Sequence, residues 1–330
     1  MLTISSKGRV FDYSHAVGGR PFRGITYISK GPENSMFVVF RDAYNSGILC
    51  VEGINISNSE EISTKFSPIN ANPVESWPTC IASDDSGVYV TDELQNKIDV
   101  FDFSGTLINE IRIHGEKSSL NKPSGLAIHK NGEIFVTNTG THEILKLNPN
   151  GSLIARWGGK GNDDGKFHSP WGLCLTHDNS VLVADHLNNR IQKFTATGNH
   201  LLTIGESGLD TNTLNHPSDV ATDSAGDIYV ADWGNQRVQV VTCDGEYLDS
   251  HRGAAHLNPW AVEYLSSQAD ERAARESFVP VYDPDTDDQH EISAMMEPYL
   301  WDPVNVELGE DGKVYVVETG RHRFQVFEVK

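Results

Sequence analysis

Three charged side chains, Arg41, Asp219 and Glu318, stand where the chain's own repeating pattern places something else, and they are the candidate catalytic residues. A guanidinium only donates hydrogen bonds and pairs best with a carboxylate or phosphate. Asp219 and Asn305 occupy positions that hold Gly125 and Gly172 in other copies of the pattern. Polar groups there need partners, and water, a structural cation or a ligand would serve. Histidines recur at neighbouring positions: His15, His168, His186, His216, His251 and His256. Imidazoles converging from separate loops make a zinc or other transition-metal site, and with Asp219 or Glu318 they would form a mixed nitrogen and oxygen set. His168, His186 and His216 are the candidate metal ligands, for a divalent ion such as Zn or Ca. Trp77, Trp171, Trp233, Trp260 and Trp301 lie at the same openings. Indoles around a concave mouth grip small organic ligands, so Trp171, Trp233, Trp260 and Asn305 are the candidate substrate-binding residues. The same aromatics could instead plug the interior.

The elements that hold these residues repeat. A proline opens a short apolar stretch at Pro78, Pro123, Pro170, Pro217 and Pro303, with a less regular opening at Pro21. The first three intervals are 45, 47 and 47 residues. Each opening is followed by a turn rich in Asp, Asn or Gly and then by a β-branched strand: Val88-Tyr89-Val90, Ile134-Phe135-Val136, Val181-Leu182-Val183, Ile228-Tyr229-Val230, Val314-Tyr315-Val316, and Met36-Phe37-Val38-Val39 in the first copy. Within the first strand, small and large side chains alternate, Gly125 and Ala127 against Leu126 and Ile128, a period of two that indicates a strand closely packed on one side. A unit of this length makes one four-stranded antiparallel sheet, which cannot bury both faces alone. Radial stacking buries them and hides most edges, so the pattern predicts an all-β β-propeller.

The phrases Pro217-Ser218-Asp219-Val220-Ala221-Thr222-Asp223, Ile228-Tyr229-Val230-Ala231-Asp232 and Asn235-Gln236-Arg237-Val238-Gln239-Val240 resemble NHL repeats, and similar phrases cover roughly residues 76 to 250 and 301 to 330. Six units predict six blades in a single domain over 1–330. Gly8-Arg9-Val10-Phe11-Asp12 reads as a stray outer strand, so residues 7 to 13 are expected to complete the last blade. Residues 251–302 break the period. Asn258-Pro259-Trp260-Ala261-Val262 imitates an opening, Ser267 with Asp270 has a capping-box spacing, and Glu271 to Glu276 reads as helical. The acidic tract Asp283 to Asp288 follows, then Met295, Met296, Tyr299 and Trp301, which are apolar enough to pack on something. A degenerate seventh blade competes with this reading of a partly helical insertion. The resemblance implies that ligand and partner sites lie on the face where blades are joined, which makes 251–302 a candidate lid.

Composition narrows the class. The 330 residues carry a formal charge of -20, a field that repels phosphate backbones and disfavours nucleic acid. The four cysteines, Cys50, Cys80, Cys174 and Cys243, are scattered without a CxxC, as free thiols in a reducing cytoplasm would be. No apolar run reaches the length of a membrane span. Trp157-Gly158-Gly159-Lys160-Gly161 lacks phosphate-loop spacing, and no Gly-x-Ser-x-Gly elbow occurs. The expected function is a lyase or hydrolase acting on a small polar molecule at the lidded face, with a divalent metal as a candidate assistant; the alternative is a non-catalytic NHL scaffold that binds a protein or ligand. RNA binding by a basic face is the minor third reading.

Overall fold

The computed structural model describes residues 5–6, 9–18, 23–32, 35–41, 46–51, 76–113, 119–255, 259–279, 286–309 and 312–329. His256 and Asp283 to Asp285 lie outside the described residues, as do the side chains of His15 and Trp260.

Among the described residues, six antiparallel sheets follow one another along the chain. Sheet 1 holds Ile25–Lys30, Met36–Arg41 and Ser46–Val51. Sheet 2 holds Pro78–Asp84, Gly87–Asp92, Lys97–Phe101 and Leu107–Ile111, and sheet 3 holds Pro123–Ile128, Ile134–Asn138, Glu143–Leu147 and Leu153–Gly158. Sheet 4 holds Pro170–Leu175, Val181–Asp185, Arg190–Phe194 and His200–Ile204; sheet 5 holds Pro217–Thr222, Ile228–Asp232, Arg237–Val241 and Tyr247–His251. Sheet 6 holds Pro303–Leu308, Lys313–Glu318 and Arg323–Val329, then takes Arg9–Gly18 from the other end of the chain. The fold is an all-β propeller with five sheets of four or more strands; sheet 1 has three among the described residues. The expected count is six blades with an irregular first one; residues 52–75, which follow sheet 1, lie outside the described residues.

The first strands pack on one another in chain order, and the strand of sheet 6 packs on that of sheet 1. Their approach is close. A Cβ on Gly125 would stand 2.4 Å from the Trp171 carbonyl oxygen, and one on Gly172 would stand 2.0 Å from Asp219 Oδ1, so only glycine fits at either place. The core lies between neighbouring sheets: Leu182 and Ile191 of sheet 4 pack with Val220 and Val230 of sheet 5, and Tyr229 of sheet 5 packs with Val306 and Phe327 of sheet 6. The terminal strand runs further than residues 7 to 13, pairing Phe11 with Val329 and Gly18 with Arg323.

Among its described residues the insertion holds three helices, α1 (Pro259–Ser267), α2 (Ala269–Glu276) and α3 (Gln289–Met295). The stretch that imitates a strand opening is therefore helix. Ser267 ends α1, with its hydroxyl donated to the Tyr264 carbonyl, and Gln268 precedes α2 in place of the expected capping serine. Asp288 caps α3 by accepting from the backbone N–H groups of His290 and Glu291.

Candidate functional site

Pairing register corrects the alignment of the first sheet. Pro78, Pro123, Pro170, Pro217 and Pro303 pair with Asp92, Asn138, Asp185, Asp232 and Glu318, and the equivalent pair in sheet 1 is Ile25 with Phe40. Phe40, not Arg41, occupies the carboxylate position. Arg41 belongs to the next ring, with Glu93, Thr139, His186, Trp233 and Thr319, at the mouth where the insertion joins the propeller.

The repeated carboxylate holds its loop. Asp185 accepts from His168 N and Arg190 Nε, and Asp232 accepts from Asn215 N and Arg237 Nε. Glu318 does the same with a longer arm, accepting from Trp301 N at 3.1 Å, Arg323 Nε at 2.5 Å and Gln325 Nε2 at 2.7 Å, fully buried. Burial raises its pKa and the Arg323 charge opposes that rise. With these partners Glu318 ties its own loop to the frame, as Asp185 and Asp232 do.

A second ring staples neighbouring sheets. Asn96, His142, Asn189, Gln236 and His322 all sit at positive φ, between 53° and 60°. Their side chains accept from the backbone N–H of Lys122, Ser169, His216, Asp302 and Gly24, respectively. The last of these joins sheet 6 to sheet 1.

Inside the axis, Asp219 is fully buried and accepts from Tyr27 Oη at 3.0 Å, Asn305 Nδ2 at 2.7 Å and Val306 N at 3.2 Å. Asn305 in turn accepts from Ile28 N at 3.1 Å. Burial pushes Asp219 up to about 7 and does the same to Glu307 two residues beyond Asn305. Asp219 and Asn305 are thus brought together, but as a closed cluster crossing sheets 1, 5 and 6. Arg41 is not among Asp219's partners; its guanidinium lies 4.8 Å over the Trp77 ring.

The mouth collects aromatic and imidazole rings. His186 stacks on Trp171 with centroids 3.8 Å apart, and His216 meets His186 edge-on at 5.1 Å. Trp233 lies 6.2 Å from both histidines. His186 Nδ1 is 3.2 Å from the Pro217 carbonyl, and His216 Nδ1 is 2.6 Å from Asn215 Oδ1. A carbonyl oxygen only accepts, so Nδ1 of His186 carries its proton and Nε2 keeps the lone pair. Burial holds His186 down to about 4, and burial followed by the neighbouring His290 charge lowers His216. Both rings are therefore neutral near pH 7.

The insertion completes this cluster. His290 of α3 meets the Trp233 ring at 4.5 Å, and its Nδ1 lies 3.1 Å from Asp302 Oδ1. Gln236 positions both: its Oε1 accepts from Asp302 N at 2.8 Å, and its Nε2 lies 3.4 Å from His290 Nε2. His290, Asp302, Gln236, Tyr27 and Glu307 were not singled out by sequence. His290 has no repeat equivalent to depart from, and Tyr27 was hidden by the misaligned first sheet.

The predicted metal set does not form. His168 turns to His142, 5.8 Å between centroids, away from the stacked His186, and Nδ1 of His186 is committed to a carbonyl. Among the described residues no group of three or more His, Cys, Asp or Glu side chains is arranged to hold a metal ion. Trp301 packs over Gly320 and under Arg321, so it is part of the frame.

Residues 167–194 and 214–241 match the NHL repeat, and residues 77–160 match the SMP-30/Gluconolactonase/LRE-like region. No curated protein sequence is significantly similar to the chain. Among solved structures, a streptogramin B lyase is 16% identical with a TM-score of 0.57, covering 98% of this chain and 98% of that one. A catalytically inactive histidine-to-alanine variant of virginiamycin B lyase from Staphylococcus aureus, solved with quinupristin, is 13% identical with a TM-score of 0.56, covering 95% and 98%. A protein of unknown function from Bacteroides thetaiotaomicron is 11% identical with a TM-score of 0.62, covering 97% and 73%. These likenesses are of fold. The chain is a β-propeller that carries NHL repeats in its fourth and fifth sheets and an SMP-30/gluconolactonase-like region across its second and third.

Proposed function

We propose that the protein is a lyase or hydrolase acting on a small polar molecule at the propeller mouth beneath the insertion. One observation carries this reading: α3 brings the His290–Asp302 pair against Trp233, beside two neutral imidazoles whose Nδ1 atoms are already engaged. A neutral Nε2 accepts a proton in one step and returns it in the next. In this assignment His216, less buried than His186, takes a proton from the substrate or from water and returns it to the leaving group; His290, its Nδ1 beside Asp302 and its Nε2 facing the donor amide of Gln236, orients the substrate. Trp171 and Trp233 form the walls. The streptogramin B lyase and gluconolactonase likenesses agree with this class but lend no residue to it.

The same reading takes sheet 1 as the sixth blade, supported by the His322 to Gly24 staple and by its first strand closing the inner ring. Cys80, Cys174 and Cys243 are free thiols, which suits a reducing compartment such as the cytoplasm. Among the described residues no helix is long and apolar enough to cross a membrane. A binding scaffold is the second reading, favoured by the exposed Phe278 and Val279 after α2.

The test is incubation with a panel of small lactones, cyclic esters and amides in water labelled with oxygen-18, followed by mass spectrometry. A hydrolase adds one labelled oxygen to the product and a lyase adds none. Failure to consume any member, with saturable binding of a protein partner, would favour the scaffold.

A further inference from the structure

The geometry points to Arg41 as the specificity-determining residue of the mouth, selecting substrates that carry a carboxylate on a flat, ring-bearing framework; this rests on the mouth being the substrate site. Arg41 occupies the mouth ring three sheets from His186, and so stands across the axis from the stacked His186 and Trp171. Its backbone N–H is tied to Gly24 O at 2.9 Å, which fixes the stem. Its guanidinium lies over Trp77, and Nη1 is buried with no hydrogen-bond partner among the described residues. Glu93, whose charge acts on it, lies 3.6 Å from Lys122 Nζ. A guanidinium withdrawn from water with a donor unused is costly unless something fills it, and its fork matches the two oxygens of a carboxylate.

The occupant's charge is bounded as well. One guanidinium beside Glu93, on a chain of formal charge -20, suits a monoanion better than a phosphate dianion. The remaining walls, Trp77, Trp171 and Trp233, offer indole faces, which suit a planar ring.

Calorimetric titration with benzoate, benzamide and inorganic phosphate tests this on the whole chain and on Arg41→Gln and Arg41→Lys, each checked by thermal melting. The expected result is benzoate binding at least about tenfold tighter than benzamide and than phosphate. Arg41→Gln should bring benzoate and benzamide within about twofold, and Arg41→Lys, which keeps charge without the fork, should retain part of the preference. Equal binding of acid and amide by the wild type, or an undiminished preference in folded Arg41→Gln, overturns the carboxylate assignment and leaves the mouth site standing. Tighter binding of phosphate overturns the monoanion. Binding of none of the three overturns the mouth site together with the carboxylate.

Discussion

His186 lies flat on Trp171, with ring planes 7° apart and centroids 3.8 Å apart, while the Pro217 carbonyl holds its Nδ1 at 3.2 Å. The next sheet's opening residue thus sets the tautomer, and the neighbouring indole sets the plane. Thr139 and Thr319 fill the same ring position and donate to the Pro170 and Ile25 carbonyls, so His186 takes over a structural bond and adds a second ring nitrogen. His186→Phe keeps the stack and loses the bond, and should cost about 1 kcal/mol; His186→Ala loses both and should cost about 2–4 kcal/mol. Denaturant unfolding of the two variants checks the order.

Glu318 is expected to behave as frame. Glu318→Ala strands the Arg323 guanidinium in the interior and should lower stability by about 3–5 kcal/mol. Molecules that remain folded should bind mouth ligands as the wild type does, which titration at low temperature would show.

Gly172 and Asp219 report on the closeness of the axis. A methyl at Gly172 would collide with Asp219 Oδ1, so Gly172→Ala should lower the unfolding free energy by about 1–3 kcal/mol. Gly165, with nothing within 4 Å of its Cβ position but φ of 81°, gives a control that is strained without a collision.

The axial carboxyls make stability depend on pH. Asp219 and Glu307 are both pushed up to about 7 by burial, so the folded chain holds protons that the unfolded chain has released. Their contribution is complete below about pH 4, is lost as pH rises towards 7, and stays lost above it. Glu307→Gln should therefore raise the melting temperature at pH 8, corresponding to about 1–3 kcal/mol, with little change at pH 4. An equal effect at both pH values would mean that Glu307 is not held protonated.

The propeller was legible because its signals are local and repeated: an opening proline, a β-branched second strand and an Asp that ends it. The N-terminal strand could be read for the same reason, since sheet 6 lacked a fourth strand. The sequence pattern places Arg41 one position early because its sheet opens with Ile25 where the others have proline, which removes the marker for alignment; the bulge after the opening residue is common to all six sheets. Trp171, His186, His216 and Trp233 share a region that repeat arithmetic could find. His290 and Asp302 enter through α3 and the chain beyond it, where no period exists to measure a departure. The metal reading assumed that three histidines near openings would converge; each ring's direction depends on contacts, such as His168 with His142, that spacing does not encode.

The most direct measurement is kcat/KM for any panel compound that the wild type consumes, compared among the wild type, His216→Phe and His290→Phe, with melting curves alongside. The mouth account expects both variants to fold and to lose at least about a hundredfold, the range of a removed acid–base group for His216 and of a misplaced substrate for His290. Variants that fold and turn over as fast as the wild type, or a wild type that consumes nothing in the panel, would contradict it.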